Sequence, residues 1–373
     1  MTHSQTLLDR ARSFLQRVPL VDGHNDLAYV MRMDHAAKGD LATYDLTRSH
    51  QGTDTDIPRL RQGLLGAQFW AAYCPTHVAD PTRYTLELIA LLRAMNERHA
   101  DVFLPALKAS DIKRAKRQGK IASFIAVENG VGIGDRLEML DIFHALGARY
   151  MTLCHNETLD WVDSATDQPR HNGITAFGQS VIGRMNSIGL LIDLSHTTAK
   201  VMHDVLDITT APVAITHANA RSLCDHPRNV TDDVLVRLKA NGGIVMATFV
   251  PTFINQAMRD WIKPIQIHDK APGGANMAAL VQENAKRSGP APRATLQQFC
   301  DHVEYMTTKA GINHIGIGSD FYGGPVPQGL EDVSKFPDLI AALMGRGWGD
   351  TALEKLASRN VLRVIRKVEK VAG

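Results

Sequence analysis

Short apolar runs separated by amphipathic stretches repeat along this chain from one end to the other, and that alternation limits its fold more than any other feature. The runs occupy residues 20–26, 67–74, 121–128, 149–155, 190–196, 212–217, 243–249 and 314–320, and they read as strands. Between them the apolar spacing turns helical, over 5–18, 137–146, 176–188, 198–206, 232–240 and 295–310. Strand followed by helix, repeatedly, makes successive strands parallel and puts the helices outside the sheet. Eight such units fit an α/β fold of the (β/α)8 barrel type, with residues 1–373 expected to form a single domain. An open, doubly wound sheet is the alternative. It would carry a GxGxxG turn after its first strand, and none is present; Gly130-Val-Gly-Ile-Gly134 has the wrong spacing for a phosphate loop. Two connecting segments, 29–66 and 250–294, are too long for turns and show only short helical pieces. They are expected to fold over the barrel mouth.

Composition removes several classes of function. The chain has 41 basic against 39 acidic residues, a net charge of +2, without the basic excess of a nucleic-acid binder. The strongest basic run, 112–120, reads as the solvated end of a surface helix stopped by Gly119. No stretch reaches the roughly 18–20 apolar residues of a membrane span. The N-terminal residues are charged where a secretory signal would be apolar, and the C-terminus has no lipid-anchor tail, so the expected location is the cytoplasm. Cys74, Cys154, Cys224 and Cys300 are far apart, with no CxxC pair, and are expected to be buried reduced thiols.

The polar residues fall in a pattern. Six of the eight runs end in a residue able to bind a metal or move a proton: His24 and Asp26, Glu128, His155, His196, His217 and Asp320. In a parallel barrel those ends open on one face, where catalytic groups gather. A single histidine is more often structural, and His35, His50, His77, His99, His144, His171, His203, His226, His302 and His314 show no such placement. Convergence gives the others their weight. In an extended strand His24 and Asp26 share a side, so both reach one ion while Asn25 points away. His196 and His217 end adjacent strands about 4.8 Å apart and can share a second ion. Glu128 lies between these groups and can bridge ions at the ~3.5–4 Å of a two-metal site. The charges also balance: two Zn²⁺ bring about +4, and Asp26, Glu128 and a bridging hydroxide leave about +1.

The chain resembles the membrane (renal) dipeptidase family, binuclear zinc peptidases of the amidohydrolase-like barrel group, from about residue 20 to 365. Seven segments in order carry the resemblance: Val21-Asp-Gly-His-Asn-Asp-Leu27, Val127-Glu-Asn-Gly130, Tyr150-Met-Thr-Leu-Cys-His-Asn156, Asn172-Gly-Ile-Thr-Ala-Phe-Gly178, Gly189-Leu-Leu-Ile-Asp-Leu-Ser-His196, His226-Pro-Arg-Asn-Val230 and Gly316-Ile-Gly-Ser-Asp-Phe321. The resemblance implies hydrolysis of small dipeptides, extending to those with a C-terminal D-residue. It implies two Zn²⁺ per chain, bridged by Glu128 and a water or hydroxide. His24, Asp26 and Glu128 would hold one ion, and Glu128, His196 and His217 the other. His155 would polarise the scissile carbonyl, Arg228 would pair with the substrate carboxylate, and Asp320 would carry the proton. A homodimer is implied as well, with no membrane or nucleic-acid partner. The sequence departs from the family at Tyr322, where an aspartate is usual, and at Thr231, where a proline is usual. Tyr322 adjoins the proton carrier and is expected to influence substrate choice; Thr231 is expected to cap the helix starting at Asp232. The competing functions are a deaminase or N-acyl amino-acid amidase on the same barrel, and a peptide-binding relative without catalysis. Many barrel deaminases begin with HxH, whereas this chain has His24-Asn-Asp26.

Overall fold

A computed structural model describes residues 3–268 and 277–372. Its strands are β1 (Leu20–Asp22), β2 (Leu65–Tyr73), β3 (Phe103–Pro105), β4 (Ile121–Glu128), β5 (Ala148–Thr152), β6 (Leu191–Asp193), β7 (Ala214–Ile215), β8 (Ile244–Ala247) and β9 (Ile315–Ile317). Every pairing is parallel. β1, β2, β4, β5, β6, β7, β8 and β9 pair in that order, and β9 returns to β1, closing a ring of eight. The expected (β/α)8 barrel is therefore formed.

β3 was not among the expected strands. It lies beside the start of β4, on the edge that β5 takes over farther along. Three residues ending in a proline give almost no strand signal, and Pro105 lacks the N–H a longer ladder would need.

Threonines start several of the outer helices. Thr175 accepts from the Gly178 amide at the head of the helix Ala176–Ile188, which stops at Gly189 in the left-handed region. Thr198 caps Ala199–Ile208, and Thr295 with Gln298 makes a capping box on Leu296–Ala310. Thr231 is the exception. It holds the cap position of Asp232–Asn241, but its hydroxyl makes no capping bond, so the helix start relies on the two aspartates in its first turn.

The barrel interior is packed solid. Phe69 and Phe124 stack at 4.5 Å, and Tyr150 lies 5.3 Å from Phe69. Burying each such ring contributes roughly 2–3 kcal/mol, and the close ring pairs add about 1 kcal/mol more. Substrate can therefore enter only from the rim.

Both long segments do reach the mouth. The first is tied down there by Asn25, whose side chain donates to Thr55 Oγ1 at 3.0 Å. The second is more helical than expected, with Pro251–Ile254, Gln256–His268 and Met277–Ser288. Pro264 inside one of these helices masks the periodicity that would have revealed it. Residues 269–276 of that segment lie outside the described residues.

Candidate metal centre and active site

The expected site residues do gather at one end of the barrel, but most are not on the strands. Only Glu128 is the last residue of its strand. His155, His196 and Asp320 each stand three residues past the ends of β5, β6 and β9, and His217 two past β7. β1 ends at Asp22, so strand alternation does not bring His24 and Asp26 together. Asp26 has φ −92° and ψ 22°, at the head of the helix Leu27–Met33. That turn still brings its Oδ2 to 3.6 Å from His24 Nε2, while Asn25 points away. The turns after the strands are strained: His196 and Asp320 have φ of 69° and 61°, in a region non-glycine residues seldom occupy. Asp320 also depends on Gly323, because a Cβ there would lie 2.2 Å from its Oδ1.

Glu128 is the hub. Its Oε2 lies 3.3 Å from His24 Nε2. Its Oε1 lies 3.2 Å from His196 Nε2, 3.7 Å from His217 Nε2 and 4.0 Å from His155 Nε2. Three ligand-sized groups share these residues: His24, Glu128 and His217; Glu128, His155 and His196; His24, Asp26 and Asp320. Within each, one atom per residue falls within 4.8 Å of the others. This grouping is not the expected partition. His217 stands between the two sets, with its nitrogen on the Oε1 side of Glu128 and its ring 4.0 Å from His24 and 5.0 Å from His196.

A cation fits this donor set. His24 Nε2, His217 Nε2 and Asp26 Oδ1 are buried and have no hydrogen-bond partner. Leaving such groups unpaired costs several kcal/mol together, and one or two cations would satisfy them at once. The hydrogen bonds behind the rings point the same way. Tyr150 Oη donates to the Gly23 carbonyl at 3.0 Å, so at 2.7 Å it must accept from His24 Nδ1. Thr216 Oγ1 donates to Asp193 Oδ2 at 2.7 Å, so at 2.9 Å it accepts from His217 Nδ1. Each ring thereby keeps a proton on Nδ1 and turns Nε2 toward Glu128. Burial lowers the pKa of His24, but Tyr150, Glu128 and Asp26 raise it well above the ordinary value, so a cation at its Nε2 would displace a proton. Burial pushes the pKa of His196 and His217 well down, with further cations adding to it, so both stay neutral and able to ligate.

The remaining expected residues surround this cluster. Burial raises Asp320 well above the ordinary carboxylate range; Asp26 and Glu128 add to this, while His24 and Arg228 oppose it. His155 is lowered to about 4 by burial and then by Arg228. Arg228 is buried rather than paired at the surface. Its Nη2 reaches the His217 carbonyl at 3.4 Å, and its Nη1 has no partner. All three face a cavity of about 1090 Å³ at the mouth, whose far wall is built by Val250, Phe253, Met258, Trp261 and Ile262 from the second long segment.

Tyr322 reaches the site with its ring alone. Its ring borders the cavity, but its hydroxyl is turned away, accepting from Thr55 N at 2.8 Å and Asp54 N at 3.2 Å. The phenol pins the first long segment, so only its ring can meet a substrate. Tyr322 also sits in the left-handed region, at φ 75°. Tyr150, Thr216 and Asp193 were not anticipated as site residues. The available signal was an acid and a tyrosine inside otherwise apolar runs.

A closed parallel barrel whose rim gathers histidines and carboxylates around unpaired buried ligand atoms is built as a metallohydrolase. The chain matches the model of the membrane dipeptidase family (peptidase family M19) over residues 8–373. It is 36% identical to dipeptidase tcpJ of Claviceps purpurea (strain 20.1), covering 100% of this chain and 87% of that protein. It is also 36% identical to dipeptidase aclJ of Aspergillus oryzae, covering 96% and 80%. The fold superposes on the probable dipeptidase PvdM of Pseudomonas aeruginosa with a TM-score of 0.84 at 23% identity, covering 99% and 100%. The chain belongs to the membrane dipeptidase family and is a metal-dependent dipeptidase.

Proposed function

We propose that this enzyme cuts the amide bond of small dipeptides using two Zn²⁺ ions, with residues 1–373 working as one domain. His24 and Asp26 would serve one ion, His196 and His217 the other, and Glu128 both. The observation that carries this reading is the two-sided approach to Glu128, with His24 at one oxygen and three histidines at the other. Metal bound there supplies an electrophile for the amide oxygen and a water whose pKa is lowered to about 7.

The protein's own groups do the rest. Arg228 holds the substrate's C-terminal carboxylate. Its unpaired buried Nη1 favours this role, and a guanidinium stays cationic even when burial lowers its pKa. His155, neutral near pH 7, donates its N–H to the carbonyl oxygen as negative charge develops there. Asp320 takes the proton of the attacking water and delivers it to the leaving amine. A carboxyl whose pKa burial has raised can hold that proton between the two transfers. The ring of Tyr322 and the apolar wall opposite limit the substrate's side chains.

No helix among the described residues is long and apolar enough to cross a membrane. Four buried, unpaired thiols support a reducing compartment, and the cytoplasm is part of this proposal. So is the homodimer implied by the family resemblance.

The test is metal analysis with hydrolysis of matched dipeptides, free and C-amidated, by the wild type and by Arg228→Ala. About two zinc ions per chain are expected. The variant should lose about 100-fold in kcat/KM on free dipeptides and little on amidated ones. Full activity with one ion per chain, or an equal loss on both substrates, would refute the assignment.

A further inference from the structure

On the opposite face of the barrel a second concavity, of about 630 Å³, is lined by Arg17, Lys113, Lys116, Arg117, Arg359 and Arg366, with Glu354 as its one acid. Six cations and one carboxylate give it a formal charge of +5, while the whole chain carries +2. The rest of the molecule is therefore net negative, at −3, and positive charge is concentrated at this spot.

Ordinary helix-end chemistry explains part of it. Arg17 and Arg117 close the helices His3–Arg17 and Ala109–Arg117, where a cation complements the helix dipole. It does not explain Arg359 and Arg366, which lie within an unbroken helical stretch from Asp350 to Val371, away from either end. Arg359 sits in a π-helical turn, Lys355–Arg359, a local widening that often marks functional sites. That turn also brings the buried Ser358 to the cavity wall.

The internal partners are too few for the charge. Arg359 pairs with Glu354, Arg17 approaches Asp350 at 3.8 Å, and Lys116 Nζ donates to the Leu15 carbonyl at 2.8 Å. Among the described residues, Lys113, Arg117 and Arg366 have no ion-pair partner. Three like charges converging on one hollow repel each other, and an anion seated among them relieves that repulsion.

We infer that this hollow is a binding site for a small anion bearing two or three phosphate groups. Each phosphate carries roughly −1.5 to −2 charges, so two or three match the local excess. Guanidinium forks from separate elements suit several phosphates held at fixed spacing. The volume suits a small molecule, whereas a nucleic acid would need a basic surface extending beyond the hollow.

The probe is tripolyphosphate, titrated calorimetrically into the zinc-loaded enzyme at about 0.15 M salt. The comparison protein is the triple variant K113Q/R117Q/R366Q, which changes exposed side chains only. One site per chain is expected in the wild type, with affinity at least tenfold lower in the variant and dipeptide hydrolysis unchanged. Equal binding by both proteins would place the anion on the zinc centre and overturn the inference, as would no binding to either. Sedimentation with phosphatidylserine vesicles separates the two sources of phosphate. Vesicle binding that depends on the three residues, without binding of free tripolyphosphate, would also overturn it.

Discussion

Two sets of buried acids lie a few residues apart along the same barrel. Asp193 and Asp22 sit below the rim, and both oxygens of each accept hydrogen bonds. Asp193 accepts from Ser195 N and Oγ, Thr216 N and Oγ1, and Thr152 Oγ1. Asp22 accepts from Ser319 N and Oγ and from Gln68 Nε2. At the rim, Asp26 Oδ1 is buried with no partner, and Glu128 faces only histidine nitrogens. Hydrogen bonds to a charged group contribute about 1.5–3 kcal/mol each and offset the burial of the lower acids, although burial still raises the pKa of Asp22 to about 6 against the bonds from Ser319 and Gln68. The rim acids lack that compensation and are costly until a cation is bound. Burial alone does not distinguish a structural carboxylate from a reactive one; the number of donors around it does.

The sharpest attempt to break this contrast is Asp320→Asn. As proton carrier its loss should lower kcat by about 10²–10⁴-fold. Zinc content and thermal midpoint should hold or rise, since a carboxylate crowded by Asp26 and Glu128 is removed. A near-normal kcat would place Asp320 with the structural acids.

Tyr150→Phe probes the link between the layers. Without its hydroxyl, His24 Nδ1 loses its acceptor, and zinc affinity should drop about 10–100-fold in a chelator competition. The protein should remain folded. Unaltered affinity would mean that His24 does not need its tautomer set from below.

The smallest effect concerns Asp54, a partly buried acid beneath Tyr322 whose pKa burial raises to about 6. A carboxyl with a raised folded-state pKa binds more protons folded than unfolded. Its stabilising contribution is complete below about pH 4 and is lost as pH climbs through 6. Urea unfolding of wild type and Asp54→Asn should therefore diverge by about 1–2 kcal/mol between pH 4 and 7, the wild type losing stability relative to the variant. Parallel curves would show that hydrogen bonds compensate the burial of Asp54.

Much of the site was legible in the order of residue types. Apolar runs mark strands whatever surrounds them, so eight of the nine strands among the described residues and a common face for His24, Glu128, His155, His196, His217 and Asp320 could be read directly. The proline-ended β3 and the helices of the second long segment were hidden because proline masks local periodicity. Tyr322 does border the site, but its hydroxyl is taken up by the Asp54 and Thr55 amides, partners distant in sequence that residue type does not announce.

The sequence by itself determined which side chains would arrive at one end of a parallel barrel, because strand direction and connection length follow from local pattern. The tertiary structure alone decided what each would find there. What holds the back of the His24 ring and what covers the Asp22 carboxylate depend on partners more than a hundred residues away, and the cations that share one hollow come from helices far apart in the chain. Hydrogen bonds and charge act over a few ångströms of space, irrespective of separation along the chain.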